Sequence, residues 1–203
     1  MIYLQLTCRL LIAGVFLTSF GGKALSRKSF DGFVASVVAA RLVPAGTAVP
    51  LPKTGLTVGG ARQLAVLVLA GEVTVAATLL AFPVGPVWLT AGGFALAAVL
   101  LIAFIVLIRS VRRTGRVVAC ACFGPSATPL GLAHLWRNAV LLTVAVAGIA
   151  TATSNGAFAT GPVLICVAVA GCGVLLAATF VDLISSSPPS PRRVARSGPK
   201  GHP

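Results

Sequence analysis

The most constraining feature of this chain is a stretch without charge, at residues 138–181. About 20 apolar residues in one helix cross the hydrocarbon core of a bilayer, and every backbone polar group must be paired within the membrane. The stretch is therefore long enough for two spans. Polar and glycine residues at 154–156, followed by a Gly-Pro pair at 161–162, predict a turn in its middle.

The same reasoning predicts an all-α fold, a polytopic membrane helical bundle of about five transmembrane helices within residues 1–184. The predicted spans are at about residues 2–22, 63–82, 87–108, 139–153 and 163–181. The first segment has the alternative of a signal peptide, but it lacks a basic n-region and a small-residue cleavage site. A short amphipathic helix is expected at residues 30–42, on the cytoplasmic interface.

Composition agrees with a membrane location and excludes several classes of protein. Hydrophobic residues make up 57% of the chain, charged residues 9%, and the mean hydropathy is +1.02. The net charge of +13 is typical of nucleic-acid-binding proteins, but here the basic residues lie between long apolar runs. We therefore expect a lipid bilayer as partner and no nucleic acid. A soluble enzyme and a disulfide-stapled secreted domain are also excluded.

The distribution of lysine and arginine predicts the orientation. Basic residues lie between the first and second spans, between the third and fourth, and after the fifth. Because positively charged loops stay in the cytoplasm, the N-terminus is expected outside and the C-terminus inside. The tail at 185–203, rich in serine, proline and basic residues, is predicted to be disordered and able to contact anionic lipid.

Cys120 and Cys122 are the reactive pair that the sequence singles out, because they lie between predicted spans. Two thiols separated by one residue can form a strained, easily reduced disulfide, and neighbouring arginines favour the thiolate. Two incidental cysteines are the alternative. A zinc site with His134 would need a fourth ligand that no nearby residue supplies, so no metal is expected. The other cysteines are expected to be small buried hydrophobes, and they are Cys8, Cys166 and Cys172.

Glu72 is predicted near the middle of the second span, where a charged carboxylate costs several kcal/mol. It is therefore expected to be either protonated or paired with a cation. Lys23 and Arg9 of the first span are the available partners. An intramembrane ionisable group is a candidate for a proton or quinone role, and a structural pair between helices is the alternative.

Taken together, these residues resemble the MauE family of methylamine utilisation membrane proteins, which is similar to the DoxX-like proteins. The resemblance covers about residues 9–150. The residues that carry it are Phe16-Leu17 to Lys23, a Phe33 helix ending at Leu42-Val43-Pro44, Glu72, Cys120-Ala121-Cys122-Phe123-Gly124, and Arg137-Asn138.

The resemblance implies a multi-pass protein of the bacterial inner membrane that acts with a thioredoxin-like partner. Together they would form or maintain disulfides in a client such as the small subunit of methylamine dehydrogenase. Cys120 and Cys122 would be the redox pair, Phe123 and Gly124 would shape the turn, and a membrane quinone is a candidate cofactor.

Two other functions remain open at this point: a non-catalytic membrane scaffold, and a small proton-coupled transporter that uses Glu72. The face from which the cysteines are reached is open too. The charge rule places residues 109–137 inside, whereas an exported client calls for thiols on the outer face. A re-entrant segment at 117–123 would reconcile the two.

Overall fold

The computed structural model describes residues 1–40, 58–81, 86–113, 131–153 and 160–185. The helices are α1 (Ile2–Ala24), α2 (Arg27–Ala40), α3 (Val58–Leu80), α4 (Val87–Arg113), α5 (Leu132–Ala150) and α6 (Thr160–Ser185). Within these ranges there is no strand, which confirms the all-α prediction. All helices except α2 are long and apolar enough to cross a membrane, so the described helices include five candidate spans.

Several helices extend beyond the apolar windows that predicted them. α5 begins at Leu132, seven residues before the predicted span, and so includes His134, Arg137 and Asn138. Charge at Arg137 set the predicted start, but a cation ends a hydropathy window without ending a helix. α4 likewise continues to Arg113, and its last turn carries exposed arginines.

α1 lies at the centre of the bundle. It contacts α2, α3, α5 and α6, while α4 packs between α3 and α5. Half of its most apolar window is buried, against about a tenth for α6 at the periphery. The main core includes Ile12 and Phe16 of α1, Leu79 of α3, Phe94 of α4 and Ala145 of α5.

Gly148 lets α4 and α5 approach closely. A Cβ atom at this position would collide with the ring of Phe94, which is itself fully buried. Small residues at such crossings are the usual means of close helix packing in membranes, where burial of apolar surface gives little driving force between helices. The contact also fixes the register of the two helices.

The predicted short helix is present as α2, and it begins three residues earlier than expected. Its apolar face is covered by protein, because Phe33, Val34 and Val37 form a second small core with Ala61 and Ala65 of α3. Ser26 accepts a hydrogen bond from the backbone N–H of Ser29 at 3.0 Å, an N-terminal capping contact. α2 is thereby fixed against one end of α1 and α3.

A buried ion pair as the candidate functional site

One face of α1 carries polar side chains at its two ends and apolar ones between them. The residues of this face follow one another at alternating spacings of four and three, and all are buried: Gln5, Arg9, Ile12, Phe16, Ser19 and Lys23. Side chains at this spacing share one side of a helix. The polar groups of this face therefore point into the bundle.

Lys23 forms an ion pair with Glu72 of α3. Nζ of Lys23 and Oε1 of Glu72 are 2.5 Å apart, and the side chains are 0% and 1% exposed. Ser19, one turn before Lys23, accepts a hydrogen bond from Nζ at 2.9 Å and donates one to Oε1 at 3.0 Å. Of the two states expected of Glu72, protonated or paired with a cation, the structure shows the pair, and Lys23 is the partner.

Two aromatic rings enclose the ammonium group of Lys23. Nζ lies 4.8 Å from the ring centroid of Phe33 on α2 and 5.5 Å from that of Phe104 on α4. A cation over an aromatic face is attracted by the ring, more strongly where water is excluded. Lys23 therefore joins four helices, α1 through α4, at one point.

The two carboxylate oxygens of Glu72 differ in their hydrogen bonding. Oε2 is buried and accepts no hydrogen bond from any residue that the structure describes. Buried polar atoms are ordinarily paired, and an unpaired acceptor costs about 1–3 kcal/mol. A hydrogen-bond donor of a ligand would bind at this oxygen.

Arg9, the other candidate partner, contacts the far end of α3. Its Nε donates to the carbonyl oxygen of Leu79 at 3.1 Å, in the last turn of that helix. The last carbonyls of a helix lack intrahelical partners, and the negative end of the helix dipole favours a cation. Gln5 likewise donates to the carbonyl of Ala152, just past the end of α5. Arg9 therefore caps α3, and Gln5 fastens the turn that follows α5 to α1.

Three polar residues in the first turns of α5 are also buried: His134, Arg137 and Asn138. Asn138 donates to the carbonyl of His134 at 2.8 Å, and Arg137 donates to the carbonyl of Ala177 on α6 at 3.4 Å. Arg137 therefore fastens the start of α5 to α6.

Helix register places these α5 residues at the depth of the ion pair. Gly148 of α5 lies beside Phe94 of α4, and the two helices run in opposite directions. Asn138 comes ten residues before Gly148, and Phe104 comes ten residues after Phe94. Both therefore lie about 15 Å from the contact, at the same depth. Phe104 is the residue that faces Lys23. We call this set the polar layer, and its members are Ser19, Lys23, Glu72, His134, Arg137 and Asn138.

The polar layer lies toward the end of the bundle where α4 ends and α5 begins. The segment between them, residues 114–130, contains Cys120, Cys122, Phe123 and Gly124, and it lies outside the described residues. The predicted intramembrane pair is thus brought together, while the predicted redox pair stays a prediction. Cys8 and Cys166 are buried, as expected, whereas Cys172 is exposed on the outer surface of α6.

Sequence reasoning did not single out Ser19 or Phe104. Ser19 has a detectable signal, because it lies four residues before Lys23 on the polar side of α1. Phe104 has none, since it is one of many apolar residues in α4.

Comparison with known proteins gives a family assignment. The family described as methylamine utilisation protein MauE matches residues 1–151, three quarters of the chain. The match contains the polar layer and ends at the last turn of α5, so that α6 lies beyond it. No curated protein and no solved structure gives a significant match. The chain is a multi-pass membrane protein that belongs to the MauE family of methylamine utilisation proteins.

Proposed function

We propose that this protein is a thiol-disulfide relay of the bacterial inner membrane, with Cys120 and Cys122 as its redox pair. It exchanges electrons with a thioredoxin-like partner, which matures a client similar to the small subunit of methylamine dehydrogenase. The observation that carries the proposal is the polar layer, built at the end of the bundle from which the segment bearing Cys120 and Cys122 departs.

The geometry supports this proposal in two ways. Lys23 joins α1 through α4 at one point, and it meets α4 at Phe104, nine residues before that helix ends at Arg113. The start of α5 is held by Arg137 through its bond to α6. The segment that carries Cys120 and Cys122 connects these two helices, so a partner that exchanges thiols with the pair would dock at this end of the bundle.

A thiolate of the reduced partner attacks one sulfur of the Cys120–Cys122 disulfide, that bond breaks, and a mixed disulfide forms. The partner's second thiolate attacks the mixed disulfide, so the partner leaves oxidised while Cys120 and Cys122 become thiols. A membrane quinone, the candidate acceptor, takes two electrons and two protons and restores the disulfide.

Orientation is part of the proposal. Counting of basic residues favours an external N-terminus and a cytoplasmic C-terminus. In the described helices the exposed basic residues agree with one common side, because Arg27, Lys28, Arg62, Arg112 and Arg113 all lie toward the end that carries the polar layer. For an exported client, this orientation requires that Cys120 and Cys122 be reached from the outer face through the re-entrant segment expected at 117–123.

The test is to trap the mixed disulfide in cells. Cys122→Ser retains one thiol of the pair, which can attack the disulfide of the oxidised partner in the reverse of this exchange, and it lacks the neighbouring thiol that would resolve the mixed disulfide. We expect a covalent complex with a thioredoxin-like protein, seen as a gel band that a reductant abolishes.

The matched control changes Cys8, Cys166 and Cys172 to alanine and should leave that band in place. If neither Cys122→Ser nor Cys120→Ser traps a partner, and both retain activity in a strain that depends on this protein, the relay is wrong. A non-catalytic scaffold then takes its place.

One observation favours a second candidate, the proton-coupled transporter. Oε2 of Glu72 is buried and has no hydrogen-bond donor among the described residues, and an ionisable side chain within a span is a candidate proton carrier. Glu72→Gln keeps an oxygen that accepts from Lys23 but removes the titratable group. Loss of cellular activity in Glu72→Gln, with activity intact in Cys120→Ser and Cys122→Ser, would favour the transporter over the relay.

A further inference from the structure

A shallow groove of about 540 Å³ runs along the first turns of α3. The described residues that line it are Gly59, Arg62, Gln63, Val66 and Leu67. Their spacing of three, four, seven and eight from Gly59 places them on one face of the helix. The groove therefore follows α3 from its first turn into the apolar part of the span.

The two ends of this groove differ in chemistry. Val66 and Leu67 are 53% and 68% exposed, within a helix that is long and apolar enough to cross a membrane. Side chains exposed on such a helix face acyl chains. Arg62 and Gln63, one turn closer to the helix start, are also exposed and bring polar groups to the rim.

α2 holds the cation at that rim. The guanidinium carbon of Arg62 lies 5.9 Å from the ring centroid of Phe30. Arg27 lies three residues before Phe30, on the same side of α2, and is exposed. Asp31 is the single acid of α2, against the two cations Arg27 and Lys28. The rim is therefore a positively charged site next to an apolar groove.

We propose that this groove binds a phospholipid with an anionic headgroup. The guanidinium of Arg62 contacts the headgroup phosphate, a geometry that arginine favours. One acyl chain lies along Val66 and Leu67. The charge at the rim and the apolar wall are complementary to the two parts of one lipid molecule, and a soluble peptide would match only the rim.

The experiment uses the full chain, purified in a mild detergent and mixed with phosphatidylglycerol or phosphatidylcholine of identical acyl chains. Native mass spectrometry counts the lipids retained on each protein molecule. We expect retention of phosphatidylglycerol over phosphatidylcholine, and Arg62→Gln should lower that preference about fivefold, as one basic residue near an anionic surface does. Arg62→Lys, which keeps the charge, should retain most of it.

Two further variants distinguish lipid binding in the groove from a general effect of surface charge. Arg109→Gln removes an exposed cation of α4 that does not line the groove, and it should leave the preference unchanged. Leu67→Trp fills the apolar part of the groove and should lower retention of both lipids alike. Circular dichroism checks that each variant is folded.

Equal phosphatidylglycerol preference in the native protein and Arg62→Gln would overturn the proposal. So would an equal loss in Arg62→Gln and Arg109→Gln, because that result assigns the preference to total charge. Unchanged retention in Leu67→Trp would show that no acyl chain occupies the groove.

Discussion

Lys23 and Glu72 join α1 to α3 through a buried ion pair, and their side chains are 0% and 1% exposed. An unpaired charge would be costly here, since an isolated charge at the centre of a span costs about 2.5–3.5 kcal/mol. Ser19 bonds to both partners, and the rings of Phe33 and Phe104 flank the ammonium. The pair is therefore the link between the central helix and the three that follow it.

Breaking the pair should cost more than removing it. Glu72→Ala leaves the Lys23 ammonium buried without its carboxylate, and we expect a loss of about 3–5 kcal/mol in the free energy of unfolding. The double change Lys23→Met and Glu72→Leu should recover most of that loss. Unfolding of the purified protein in detergent, followed by intrinsic fluorescence, measures the difference.

Glu72→Gln is the matched control for Glu72→Ala. Glu72→Gln keeps an acceptor for Lys23 and should be less destabilising than Glu72→Ala. The cycle is closed by Lys23→Met and Glu72→Leu made singly. If the effect of the double variant equals the sum of these two single effects, the ion pair is removed from the account.

The choice between the two possible partners of Glu72 illustrates what the sequence could and could not predict. Sequence alone offered both Lys23 and Arg9 on α1. They are 14 residues apart, about 21 Å along a helix, so that only one can reach the middle of α3. The register of α1 against α3 decides between them, and register depends on packing around Ile12 and Phe16 that composition does not reveal.

The number and order of the long helices, by contrast, follow from the sequence. Apolar length and the absence of charge predict the spans, because a membrane imposes those two requirements directly. The start of α5 was predicted less well, since buried Arg137 is satisfied by a carbonyl of α6. A tertiary contact of that kind has no local signal in the chain.

Close packing of α4 on α5 makes Gly148 sensitive to substitution. Gly148→Ala would force the buried ring of Phe94 to move, and we expect a destabilisation of about 1–3 kcal/mol. Gly92→Ala, in α4, is the matched control because its new methyl group meets no atom of the described structure within 4 Å. A comparable melting temperature for the two variants would contradict the packing.

Topology can be read with reporter fusions. Fusions after Lys53, Arg116 and Arg196 should be active as cytoplasmic reporters, and fusions at Gly85 and Asn155 as external ones. Alternation of this kind requires five spans and an external N-terminus. A common side for Lys53 and Gly85 would mean that α3 does not cross the membrane.

The most direct measurement of the central claim is the redox state of Cys120 and Cys122 in growing cells. In a protein with Cys8, Cys166 and Cys172 changed to alanine, these are the remaining thiols of the chain. A mass-tagged maleimide then counts free thiols on a gel. The account predicts a fraction that takes up no tag until it is reduced and two tags afterwards, and this fraction should change when the thioredoxin-like partner is deleted. Two tags on every molecule before reduction, with or without that partner, would contradict the relay.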